Sequence, residues 1–231
     1  MTASDTLDAR PDPRLRERIN DLSIKVVRLA SLTTDAVGAG TQAFVEGDLD
    51  EADRVVADDD AVDALRHEVE DECLALLGRP GLAPADLRFV GTAMRVAHEL
   101  ERSADLMVNV AKTTWRLYPH PLDATSRHIV ERLGRQAAVQ IRVAINAFAD
   151  RDPSWAAALA DMDETIDELE KSLFRHILSV DSRAADDAML VRAVQLALVA
   201  RHYERIGDHT VTIAEQVGFV ATGQHTARRR R

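Results

Sequence analysis

Four pairs of acids spaced i and i+4 stand out among the 39 aspartates and glutamates of this 231-residue chain: Asp59 with Asp63, Glu101 with Asp105, Asp163 with Asp167, and Glu204 with Asp208. On a helix that spacing sets both carboxylates of a pair on one face, a turn apart. Two pairs brought together from neighbouring helices make a set of hard oxygen donors. Such a set binds cations: Fe, Mn, Mg or Ca, with Zn less favoured. Glu101 and Glu204 are the most demanding members, because the adjacent turns supply Ala and Val. A carboxylate desolvated there without a partner costs several kcal/mol or takes up a proton. The competing reading is a solvated acidic edge balanced by arginines, since Arg102 and Arg205 directly follow the two glutamates.

The elements that position these acids are helices. Hydrophobic residues make up 46% of the chain and charged residues 29%, with only 10 Gly and 7 Pro, which excludes a disordered chain and speaks against an all-β one. Apolar residues recur at steps of three and four through six segments. The first, after Pro13, carries Leu15, Ile19, Leu22, Val26 and Leu29 and runs to about Glu46. The second carries Val55, Val62, Leu65, Val69 and Cys73, and stops at Gly78 to Pro84. The third begins near Asp86, reads Val90, Met94, Ala97, Glu101, Ala104, Val108, Ala111 and Trp115, and ends before Pro119. The fourth starts at about Asp123 and the fifth at Trp155. The sixth reads Leu190, Ala193, Ala197, Ala200, Glu204, Gly207, Val211 and Ala214.

The halves align by number. Phe44 and Phe148, Leu65 and Leu169, and Asp59 and Asp163 are 104 apart; Glu101 and Glu204, and Asp105 and Asp208, are 103 apart. Acids align as well as apolar positions, so an internal duplication is expected: an all-α fold of six long helices, as two tandem antiparallel three-helix bundles over 14–118 and 123–221. Residues 1–13 and 222–231 read as flexible tails. Asp59 to Glu101 and Asp63 to Asp105 both span 42 residues around the Gly-Pro loop, so an antiparallel hairpin brings the pairs opposite each other.

The net charge of -10 argues against a nucleic-acid partner, and the one basic block, Arg228 to Arg231, reads as a solvated tail. Cys73 is the only cysteine, which excludes an intramolecular disulfide and suits a reducing compartment. No run approaches the ~18 apolar residues that span a bilayer, and Met1 to Pro13 lacks the apolar core of a signal peptide. A cytoplasmic protein is expected.

The sixth segment carries a family resemblance. Tyr203-Glu204-Arg205-Ile206-Gly207-Asp208-His209, followed by Thr-Val-Thr-Ile-Ala-Glu, resembles the repeated motif of the PhoU family, and Leu100 to Asp105 with Asn109 is a looser version. Both Asp-x-x-x-Asp runs and Pro84 to Arg88 are similar to the family pattern, over roughly 15 to 223. The resemblance implies two three-helix bundles whose paired motifs bind metal ions (Fe, Mn, Zn or Mg) through the eight acids named above, with Asn109 and His209 as auxiliary or supporting groups. It implies a negative regulator of the phosphate-starvation response, not an enzyme. Such a regulator links the ATPase subunit of the Pst phosphate ABC transporter to a PhoR-type sensor histidine kinase, as a homodimer that reaches the inner face of the membrane through its partners. Where the family favours Ile-Gly and His, the first repeat has Ser103-Ala104 and Leu106, and Thr212 stands where the first repeat has Asn109. These departures imply two sites of unequal occupancy.

Two rivals follow from the same residues. A carboxylate-bridged dinuclear metal protein, for storage or oxidation, uses Glu-x-x-His motifs, yet none of the eight histidines has an acid three residues before it. A metal-free helical adaptor needs only a solvated acidic face. The chain has neither a phosphate-cradling Gly-rich loop nor a G-x-S-x-G motif.

Overall fold

A computed structural model describes residues 13–179 and 187–224. The described chain is six helices without a strand: α1 Pro13–Glu46, α2 Leu49–Leu77, α3 Pro84–Leu117, α4 Ala124–Asp150, α5 Trp155–Ser179 and α6 Asp187–Thr222. Local chemistry sets the breaks. Asp48 accepts the backbone N–H of Glu51 at the start of α2, and Asp123 accepts those of Thr125 and Ser126 at the start of α4. α3 begins at Pro84 rather than near Asp86, because proline suits the first helical position, where its missing N–H has no partner to lose. α1 begins at Pro13 and α6 extends to Thr222, each one residue into an expected tail. Residues 1–12 and 225–231, with Arg228 to Arg231, and most of the polar stretch from Asp181 lie outside the described residues.

The helices form two layers. α2, α3, α6 and α5 lie side by side in that order, and α1 and α4 pack together against one face of this row. Neighbours within each repeat run antiparallel: Arg18 of α1 pairs with Glu72 of α2, and Arg66 of α2 faces Glu101 of α3. Glu170 of α5 likewise faces Arg201 of α6. α3 and α6 are also antiparallel, with Arg95 bonding to Gln216 and Arg116 to Gln195. One core runs through both repeats. α1 and α4 approach so closely that a Cβ built on Gly134 would stand 2.3 Å from Thr41 Oγ1. Phe89 stacks on Phe148 at 5.1 Å, joining α3 to α4, and the Arg151 guanidinium caps the Phe89 ring at 4.0 Å.

Three expected stripe residues are exposed, Trp115, Trp155 and Leu190, and Ala193, Ala197 and Val211 are only half-buried. Trp115 instead donates its indole N–H to Asp53 Oδ1 at 3.1 Å. The α6 stripe is wider than expected: Ala200, Gly207 and Ala214 are buried as the spacing predicts, and a second ridge is buried beside them. That second ridge is Leu196, Val199, Tyr203, Ile206, Thr210, Ile213, Val217 and Val220, while Glu204 lies at the edge facing α5. α6 touches α3, α4 and α5, so its apolar arc is wide enough to fit the helical period in more than one phase. Cys73 is fully buried, and burial pushes its thiol up to about 12. No helix among the described residues is long and apolar enough to cross a membrane.

Candidate metal centre

α1 and α4 cover one face of the four-helix row. The sequence-selected acids lie along two grooves between helices, α2/α3 in the first repeat and α5/α6 in the second. In the first groove Asp59, Asp63, Glu101 and Asp105 feel one another. Burial, then the charges of Asp105, Asp63 and Glu101, push the Asp59 carboxyl up to about 6, against the pull of Lys112. Glu101 is raised by burial and by Asp105, with Arg66 and His98 opposing. Its Oε1 lies 3.9 Å from Arg66 Nε, and its Oε2 is buried without a hydrogen bond.

In the second groove burial, then Asp208, push Glu204 up to about 7; Arg201 opposes this and Glu170 adds to it. Glu204 Oε1 pairs with Arg201 Nη1, and its Oε2 is again buried without a hydrogen bond. Glu170 is raised by burial and by Asp167 and Asp208, against Arg201 and Lys171. The structure therefore groups Asp167, Glu170, Glu204 and Asp208. Asp163 lies against Gly207 of α6, where a Cβ would stand 2.5 Å from its Oδ1.

The auxiliary candidates are placed differently from the acids. Asn109 donates its amide to the Asp105 carbonyl at 3.0 Å, closing back on its own helix. His209 is buried and donates from Nδ1 to Glu99 Oε2 of α3, across the seam between repeats. Burial alone would raise Glu99, but the hydrogen bond and charge of His209 hold it below the ordinary range. Arg66, Glu170 and Arg201 were not selected from the sequence. Each stands at a position where the other repeat carries a different charge or residue type, so matching the repeats for identity passes over them.

The orphaned oxygens of Glu101 and Glu204 and the hard-oxygen donor set fit a divalent or trivalent cation in chemistry. Among the described residues, however, no three His, Cys, Asp or Glu side chains are gathered closely enough to form a ligand shell.

Fold and site together define a class: tandem three-helix bundles, internally duplicated, with a carboxylate groove in each copy. The chain belongs to the PhoU family, whose domain model matches twice, at residues 26–114 and 130–217. It is 32% identical over 209 residues to the phosphate-specific transport system accessory protein PhoU homolog 1 of Mycobacterium tuberculosis (strain ATCC 25618 / H37Rv), covering 90% of this chain and 92% of that one. Its identity to the PhoU homolog of Rhizobium meliloti is 28% over 207 residues, covering 90% and 86%. The crystal structure of PhoU from Pseudomonas aeruginosa superimposes with a TM-score of 0.83 at 25% identity, over 90% of this chain and 99% of that one. The phosphate transport system regulatory protein PhoU from Streptococcus pneumoniae shares the fold, with a TM-score of 0.84 at 23% identity, over 93% and 100%.

Proposed function

We propose that this chain is an accessory regulator of phosphate-specific transport that works by binding rather than catalysis. It represses the phosphate-starvation response when phosphate is abundant, by docking on the transporter's ATPase subunit and on a PhoR-type sensor kinase. The observation that carries this reading is the double match to the PhoU domain, in register with the duplicated acid pairs. The names of its relatives as phosphate-transport accessory proteins support the transporter link. An exposed apolar strip on α6, formed by Leu190, Val191, Val194 and Leu198, supports a docking role. The absence of a membrane-crossing helix among the described residues is consistent with work in the cytoplasm through such partners, and we assign the homodimer as its working state.

Metal ions (Fe, Mn, Zn or Mg) belong to this proposal. Asp59, Asp63, Glu101 and Asp105 would hold them in the first repeat, and Asp163, Asp167, Glu204 and Asp208 in the second. A bound cation supplies positive charge that ties facing helices together. Such an ion would offset the like charges by which neighbouring carboxylates raise Asp59 and Glu204.

Deleting the gene tests the regulatory claim: starvation-gene expression in phosphate-rich medium rises, and unchanged expression rejects it. Pull-downs should recover the ATPase subunit or the kinase; recovery of neither counts against docking. Metal analysis of protein purified without chelator should show an excess over a variant with Glu101, Asp105, Glu204 and Asp208 changed to Ala. Equal contents would leave the metal-free adaptor, and oxidase or storage turnover would favour the dinuclear rival.

A further inference from the structure

Val191, Val194, Leu198, Arg201 and Arg205 follow one another along α6 at steps of three, four, three and four, which makes them a single ridge. Its first half is apolar and exposed: Val191 and Val194 are each 50% accessible, Leu198 is 43%, and Leu190 beside them is 63%. Its second half is basic. The duplication supplies an internal control for this ridge, because the offset of 103 that relates Glu101 to Glu204 carries it onto Arg88, Gly91, Arg95, His98 and Arg102 of α3. The first repeat therefore builds the same helix without any apolar residue at the matching positions. Arg88 there donates Nε to the Val220 carbonyl at 3.3 Å, Arg95 donates to Gln216 at 3.1 Å, and a Cβ on Gly91 would meet nothing within 4 Å. The bundle has no need of Val191, Val194 and Leu198 for its own packing, and their exposure calls for a partner.

Charge narrows what that partner is. Arg201 is drawn towards α5 by Glu204 and Glu170. Arg205 has no hydrogen bond or ion pair among the described residues. One turn from Leu198, His202 keeps a buried Nδ1 without a hydrogen bond, and both charges that act on it, Arg205 and Arg116, are positive. Arg116 is held at the ridge by Gln195, at 3.4 Å. In a chain of net charge -10, the apolar ridge thus runs into a group of bases with no carboxylate of their own. A second copy laid parallel on this ridge would set like charges on like, and the chain's own basic block, Arg228 to Arg231, carries the same sign. The complement is acidic. The described chain has no sheet edge to which a strand could add, whereas a ridge stepped by three and four is the pattern on which an amphipathic helix seats its anchors.

We infer that the α6 ridge docks an amphipathic helix of a partner protein, whose apolar end sits on Val191, Val194 and Leu198 and whose other end sets carboxylates against Arg205, His202 and Arg116. From Val191 to Arg205 the ridge is ~21 Å long, so the partner helix has about four turns. The inference rests on the reading above that the chain works by binding, and gives that binding a place and a chemistry.

The test replaces Val194 of the full-length chain with the photo-crosslinker p-benzoylphenylalanine, irradiates cells, and reads the crosslinked segment by mass spectrometry. The crosslink should fall on one helix of the transporter's ATPase subunit or of the sensor kinase, apolar at steps of three and four and carrying Asp or Glu towards the Arg205 end. With that protein purified, Leu198→Ser and Arg205→Glu should each weaken affinity by about tenfold or more, with helicity by circular dichroism unchanged. Val191→Ser replaces Leu198→Ser if helicity falls. Ile24→Ser, at an exposed apolar position of α1, should leave affinity as it is. Arg205→Gln should make binding less sensitive to salt. Crosslinking to a second copy, to no protein, or to a segment without carboxylates overturns the inference, as do variants that bind like the wild type. A wild-type chain that binds neither the ATPase subunit nor the kinase overturns the docking reading with it.

Discussion

Gly207 and Asp163 occupy space that a single extra carbon would close: a Cβ on Gly207 would stand 2.5 Å from the Asp163 carboxylate, 3.3 Å from Ile166 Cδ1 and 3.4 Å from Gln140 Oε1. The glycine lets α5 lie directly on α6 and sets Asp163 beside the helix that carries Glu204 and Asp208. The first repeat has Ala104 at the matching position. Gly207→Ala should push the Asp163 side chain out of its place and cost about 1–3 kcal/mol as overpacking, despite alanine's better helix propensity. Calorimetry should show a Tm lower by about 3–10 °C. Ala104→Gly should lose only about 1 kcal/mol, through propensity alone. An unchanged or raised Tm in Gly207→Ala would show that the Asp163 side chain yields without cost.

That contact also shows how much the sequence could reveal. The helix breaks were legible because Gly47-Asp48, the run from Gly78 to Pro84 and Asp123 carry their own turn and capping chemistry. The duplication was legible because acids and apolar residues share one offset. The full width of the α6 face was not, because a helix buried on three sides satisfies the helical period along several stripes: Ala200, Gly207 and Ala214 of the expected stripe are buried, and so are Val199, Tyr203, Ile206 and Thr210 beside them. Glu170 was hidden because its counterpart is Arg66; a search for like residues at like offsets discards a charge reversal. The Glu99–His209 contact has no repeat partner at all, since the matching positions are His202 and Leu106.

Tyr203 is fully buried and reaches from α6 to α1, two helices whose backbones do not meet. Thr41 donates its own hydroxyl proton to the Val37 carbonyl, so Tyr203 must donate to Thr41 Oγ1, at 2.7 Å. Tyr203→Phe keeps the ring and removes one buried hydrogen bond, a loss of about 1 kcal/mol. In a chain of this length that lowers Tm by roughly 2–4 °C. A Tm equal to wild type would mean that water or another group replaces the bond.

The His209–Glu99 pair joins the two repeats across the α3/α6 seam. His209→Leu strands a half-buried carboxylate and should cost about 2 kcal/mol or more by urea denaturation. Changing Glu99 and His209 together to Leu removes both polar groups, as Leu106 already does on the other side of the seam. The double variant should therefore recover much of the loss. Strict additivity of the two single losses would show that the residues do not act as a pair.

The raised carboxyls dictate how the metal-free protein responds to pH. Asp59 titrates at about 6 and Glu204 at about 7, whereas both titrate near 4 in an unfolded chain. Between those limits the folded state binds more protons than the unfolded one. Their contribution to stability is thus fully present below pH ~4 and is lost as pH rises through ~6 to ~7. Glu99, held below its ordinary range, works in the opposite sense, and only at the acidic end. The metal-free Tm should accordingly fall as pH is raised from about 5 to about 8, and Asp59→Asn with Glu204→Gln should flatten that slope. Cations compete with those same protons, so Mn²⁺ should raise Tm far more at pH ~8 than at pH ~5. A slope that survives both substitutions would place the titrating groups elsewhere. A cation effect independent of pH would mean that the ion binds away from these carboxylates.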